Sequence, residues 1–169
     1  MISRGQAIAA TVGIALLAWA TAASHGFVPV LDHANLAFHE AGHWIYGILG
    51  RTLALYGGTL GQLTFPLVAL AIFARRQQPI GVAFAGTWLG ENFVNIARYM
   101  SDARSQALPL VGGGEHDWTA IFNRWGALMH DKQVAHVTST IGWILILASV
   151  GWLWWSATRQ SDHLKSRNS

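Results

Sequence analysis

The sequence contains no cysteine, which excludes disulfides and thiolate metal sites together. Any metal must therefore be held by His and carboxylate side chains. Charge is scarce as well: 11% of its 169 residues are Asp, Glu, Lys or Arg, against about a quarter in a soluble domain. No long polar stretch exists, so a soluble catalytic domain on a single anchor is excluded. The formal net charge is only +3. Its basic residues do not gather into a stripe, which argues against a nucleic-acid partner. In place of charge the chain has 52% hydrophobic residues and nine Trp. That composition predicts an all-α, polytopic membrane protein whose first partner is the lipid bilayer. The length suits one embedded unit over 1–158 and a polar, mobile tail over 159–169.

Hydropathy divides the unit into segments. Residues 6–23 form an uncharged run after Arg4, long enough to span. The run shares its basic start and short apolar core with cleavable signal peptides, but it is read as a retained helix. Residues 34–50 read as a helix with one polar face. Residues 51–58 read as a break, with Gly57-Gly58 as its turn. Residues 59–74 and 80–100 are further apolar spans, the first interrupted by Pro66 with a kink expected there. Residues 101–116 form a loop that closes on Gly112-Gly113-Gly114-Glu115-His116. Asp117 then N-caps a short amphipathic interfacial helix reaching His130, with Trp118, Ile121, Phe122, Trp125 and Leu128 on one side. The last span covers 134–157 and ends in an aromatic belt of Trp152, Trp154 and Trp155.

Arg4, Arg75, Arg76, Arg159, Lys165 and Arg167 fall on one side if four segments cross and the 34–50 helix is only partly inserted. Both termini are then expected to be cytoplasmic. His39, His43, His116 and Asp117 gather at the opposite face.

The most specific feature is His39-Glu40-Ala41-Gly42-His43, an H-E-x-x-H motif. Fewer than about one chain in a hundred of this composition would carry it by chance. On a helix the two imidazoles share a face and can grip one Zn2+ ion. Glu40 is placed to take a proton from the attacking water. A bland alternative is a helix whose histidines merely cap or hydrogen-bond, but ionisable groups are costly in lipid and usually functional.

A catalytic zinc site needs a third protein ligand. The candidates are Asp117, His116, Asp102 and Glu91. Glu115-His116-Asp117 is favoured for its place at a helix start after three glycines. Asp102 has Arg98 and Arg104 close in sequence as salt-bridge partners. Glu91, Asn92 and Asn95 form a polar strip in an otherwise apolar span, suited to ligation or to supporting a ligating His. His25 and His33 flank the loop before the motif as a candidate second metal pair. His130 and His136 carry no expectation.

Phe38-His39-Glu40-Ala41-Gly42-His43 in an apolar helix is followed by Tyr56-Gly57-Gly58-Thr59-Leu60-Gly61 and, later, by an Asp at a helix start. Together these resemble the site-2 protease class of intramembrane zinc metallopeptidases, in particular its short bacterial branch. The resemblance covers residues 34–130, and only the pentapeptide is specific. It implies a bacterial inner-membrane protease with zinc on His39, His43 and a distant Asp, here Asp117, and with Glu40 activating water. The family's distal Asn-Pro and Leu-Asp-Gly motif is absent. Its nearest counterparts are Asn92 and Asn95 before Asp102, and His116-Asp117-Trp118.

The expected activity is zinc-dependent hydrolysis of a peptide bond in or near a transmembrane segment, with Gly57–Gly61 offering an edge to the unwound substrate. Two other readings stay open. One is a non-catalytic protein, such as a subunit of a larger membrane complex, with a structural zinc on four ligands including both His116 and Asp117. The other is hydrolysis of a lipid-like substrate or another amide.

Overall fold

The computed structural model describes residues 2–110 and 115–167. Among them are no strands, but six α-helices and one 3-10 turn. These are α1 (Arg4–Ala23), α2 (Pro29–Gly47), α3 (Arg51–Arg75), α4 (Pro79–Ser101), α5 (Asp117–Trp125) and α6 (Asp131–Arg167), with the turn at Leu128–His130 before α6. Three stretches are long and apolar enough to cross a membrane: Arg4–Ala23, Arg51–Arg75 and Leu128–Arg159. The Gly112–Gly114 run of the expected loop lies outside the described residues.

Local chemistry fixes the starts and stops. Ser3 and Gln6 form a capping box on α1. Pro29 and Pro79 sit in the first turns of α2 and α4, where a missing N–H costs nothing. Gly126 closes α5 in the left-handed conformation, φ 64°. The chain reverses between α2 and α3 at residues 48–50, where Gly50 takes φ 118°.

That reversal corrects the sequence reading of residues 51–58. They are not a break, and Gly57-Gly58 is not a turn; α3 runs straight through both, and Pro66 also lies inside it. The glycines serve helix packing instead. A Cβ on Gly57 would stand 2.7 Å from the Gly42 carbonyl oxygen, and one on Gly61 2.6 Å from the Gly42 Cα. Only glycine lets α2 and α3 approach this closely, the usual device where lipid gives helices no hydrophobic drive to associate. Because the segment is helical, its backbone bonds are spent within α3. It therefore offers no free edge to a substrate.

A second close crossing joins α4 to α6. A Cβ on Gly90 would lie 2.6 Å from the Gly142 carbonyl oxygen, and one on Gly142 2.5 Å from that of Gly90. Bulkier contacts hold α1 there, with Ala7 and Ile14 buried in one cluster with Ala83, Ile146 and Leu153. The Trp154 indole also donates to the Thr11 hydroxyl at 3.1 Å. Such a bond averages about 0.6 kcal/mol in a membrane, so apolar burial contributes more here.

Helix α4 is the interior helix of the molecule. Ala83, Ala85, Glu91 and Asn92 on it are inaccessible to solvent. Its polar residues Glu91 and Asn92 therefore point at protein rather than outward.

The α5 region differs from the expected single amphipathic helix to His130. It stops at Trp125, and Trp118, Ile121 and Phe122 pack into a core with Ile96, Ala97 and Met100. Trp125 is half exposed. The Arg104 guanidinium grips Asp131 through both carboxylate oxygens, at 2.8 and 2.9 Å. This pair ties the loop after α4 to the start of α6, so Arg104 is not the partner of Asp102.

Candidate metal centre

The site grows from the crossing of α2 and α3. His39 and His43 lie one turn apart on α2, with ring centroids 5.0 Å apart. Asp117, from the first turn of α5, closes the group. Its Oδ2 is 2.8 Å from His39 Nε2 and 3.2 Å from His43 Nε2. One ligand atom from each of the three lies within 4.8 Å of the others. Among the described residues no other group of three metal-ligating side chains meets that geometry.

Neighbouring residues aim each side chain. His43 donates its Nδ1–H to the Ala54 carbonyl at 2.8 Å, which leaves the Nε2 lone pair facing the site. The His39 ring lies flat against Gly58, where a Cβ would come within 2.5 Å of Cε1 and 2.6 Å of Cδ2. Tyr99 meets that ring edge-on at 5.9 Å.

Asp117 owes its freedom to the residue before it. The N-cap of α5 is His116, not Asp117 as its side-chain type suggested; His116 Nδ1 accepts from the Thr119 N–H at 3.3 Å. The Asp117 carboxylate is thereby released toward the histidines, while its backbone N–H donates to the Tyr99 hydroxyl at 3.3 Å. Burial works to raise the pKa of Asp117. Hydrogen bonds from His39 and His43 outweigh that and bring its pKa down to about 2.

The other expected ligands sit elsewhere. His116 is fully buried, its ring tilted against Tyr99 with centroids 4.1 Å apart, and its Nε2 stands 3.6 Å from Asp102 Oδ2. As cap and packing block it does not join the group, so a four-ligand set with His116 and Asp117 both bound is not formed. Asp102 organises the loop behind it, accepting from the Ser105 hydroxyl and from the N–H groups of Ala107 and Leu108. Glu91 and Asn92 bond to Asn35 on α2. Asn95 parts from them: it accepts from Gln62 at 2.9 Å and donates to the Gly26 carbonyl at 3.1 Å. The proposed strip of three is thus two separate contacts, because α2 and α3 meet α4 on different faces. His25 lies in the turn after α1, and His33 lines the main cavity. His130 bonds to Gln133.

That cavity has a volume of about 860 Å³ and is bordered by His39, Glu40, His43 and Asp117. Asp32, Gln62, Asn95 and Arg98 add polar groups to its wall, and Leu36, Trp44, Leu55 and Leu108 supply apolar ones. No family model, curated protein or solved structure matches this chain. Function must therefore be argued from the site.

Sequence reasoning missed Asp32, Asn35 and Gly58. The first two had a readable signal, since positions 32, 35, 39 and 43 recur at helical spacing and make one polar stripe on α2. Gly58 had none. Its role depends on which ring packs over it.

Proposed function

We propose that this protein is a zinc-dependent membrane hydrolase, and that its substrate is a peptide bond in or beside a transmembrane segment. The observation that carries the reading is the convergence of His39, His43 and Asp117 on a cavity that Glu40 also lines. Two imidazoles and one carboxylate are the donor set of many catalytic zinc sites, and three protein ligands leave a position free. A structural zinc calls for four, and His116 is occupied as a helix cap.

Bound there, zinc supplies Lewis acidity and makes water a nucleophile near neutral pH. Residues of the chain do the rest. Glu40 accepts the proton of the attacking water and returns it to the departing amine. The amides of Gln62 and Asn95 line the cavity as donors and acceptors, the equipment an unwound peptide backbone needs away from water. The H-E-x-x-H motif and a carboxylate from a later helix support the site-2 protease resemblance, while its glycine-bearing break is absent because α3 is continuous.

We also propose four crossings, with α4 as the fourth and α2 entering only partly. Contacts between the turn after α1 and the Val94–Arg98 part of α4 support this, as does the Gln62–Asn95 bond. On this reading the His39, His43 and Asp117 group lies at the end of the bundle opposite Arg4, Arg75 and Arg76. In a bacterial inner membrane both termini are then cytoplasmic. A reporter fused after residue 169 should read cytoplasmic, and one inserted between residues 110 and 115 should read external. Both on one side would exclude four crossings.

Purified protein is expected to carry about one zinc per chain, lost when His39 and His43 are both replaced by Ala. Elemental analysis of the two preparations checks this. Unchanged zinc in the double variant would end the metalloenzyme reading.

A further inference from the structure

Behind the cavity wall lies a polar cluster that the metal group does not use. Asp32 from α2 and Glu91 from α4 are 2% and 0% exposed, and their carboxyl groups share one amide donor. Asn35 bridges them, its Nδ2 donating to Asp32 Oδ1 at 2.9 Å and to Glu91 Oε2 at 3.0 Å. The backbone N–H of Val28 takes the second Asp32 oxygen. Asn35 Oδ1 is itself filled, accepting from the Trp88 indole at 2.9 Å and from Asn92 Nδ2 at 3.4 Å.

The donors then run out. Glu91 Oε1 and Asn92 Oδ1, on two residues with no solvent exposure, have no hydrogen-bond partner. Positive charge is short as well, by one. Arg98, stacked over the Phe27 ring at 5.2 Å, is the cation that acts on Asp32, and Gln62 on α3 is neutral. Two ionised carboxylates against one guanidinium would leave a net buried charge and two like charges gathered on one amide. One hydrogen on the pair removes both defects.

We infer that Asp32 and Glu91 hold one proton between them at neutral pH, as a proton-binding site that opens to the cavity through Asp32. Asp32 lines the cavity and Glu91 does not. A proton leaving the site therefore passes from the Glu91 carboxyl to the Asp32 carboxylate and on to cavity water, and returns the same way. The shared proton also clasps α2 to α4 two turns before His39. Its loss sets two carboxylates against each other and loosens the helix that presents His39 and His43. The cluster thus couples the proton content of the cavity to the seating of α2.

Infrared spectroscopy of the full chain, stripped of metal by a chelator and held at neutral pH, tests this. A protonated-carboxyl band that shifts in deuterated buffer is expected in the native protein. It should lose one carboxyl equivalent in Glu91→Gln, where Asp32 is left to ionise against Arg98, whereas Asp32→Asn should keep it, because the fully buried Glu91 then has no cation to ionise against. Both variants should keep their helical circular dichroism, because each amide copies a neutral carboxyl in shape. The inference is overturned by a native protein with no such band, or by a band that survives in Glu91→Gln. A Gln variant that fails to fold would also overturn it. So would one equivalent of sodium, potassium or calcium bound to the native protein and lost in Glu91→Gln, since a cation would then fill the gap. The readout needs neither zinc nor turnover, so failure here leaves the metal reading standing.

Discussion

Replacing Glu40 with Gln is expected to lower turnover by about 10²–10⁴-fold while zinc content stays at the native level. Glu40 lines the cavity beside His39 and His43 without belonging to the three-ligand group. The amide keeps its shape and a hydrogen bond to water but cannot accept a proton. A loss confined to turnover is what a general base predicts. Full activity in the Gln variant, measured on a transmembrane peptide substrate, would remove Glu40 from the chemistry. Loss of zinc would instead make Glu40 a ligand or a ligand's support, and the assigned mechanism would fail.

Gly58→Ala is expected to weaken zinc binding by about 100-fold or more without destabilising the fold. Neighbours that merely orient a metal-bound His already change affinity by about 10–100-fold. Here the new methyl would displace the ligand itself. The added Cβ would stand 2.5 Å from His39 Cε1 and closer still to Nε2. The ring is the end of a side chain, so it can swing aside and leave the backbone in place. Within α3, alanine also favours the helix over glycine by about 1 kcal/mol. Melting temperature should therefore hold or rise while zinc affinity, read by competition with a chelating dye, collapses.

Gly57→Ala is the control for that result. Its Cβ would meet backbone, the Gly42 carbonyl oxygen at 2.7 Å and the His43 Cα at 2.9 Å. There α2 and α3 must part, and stability should fall. Native zinc affinity in Gly58→Ala would mean that the His39 ring does not rest where it is placed.

Much of this molecule could be read before it was folded. The apolar runs marked helices wherever they were uninterrupted, because a backbone with no water to bond must bond to itself. The H-E-x-x-H spacing placed two imidazoles on one face for the same reason that any helix repeats. Reading failed where a residue type serves two purposes. Gly57-Gly58 has the composition of a turn, yet it sits inside α3 to let Gly42 approach. Asp117 has the composition of an N-cap, yet His116 takes the cap and leaves the carboxylate to the histidines.

The sequence by itself determined an all-helical chain without thiols, rich in apolar segments, with a pair of metal-competent histidines and an adjacent Glu. These are properties of local spacing and composition, which the chain carries whatever it packs against. The tertiary structure alone decided which carboxylate joins the pair. Spacing favoured His116 and Asp117 over Asp102 and Glu91 but could not choose between the first two, because a ligand set is a matter of distance in space. Packing of α5 on α4, with Tyr99 and His116 packed between them, brought one to 2.8 Å and gave the others different work. The same packing brought Asp32 and Glu91, 59 positions apart in the chain, onto one buried Asn35 amide.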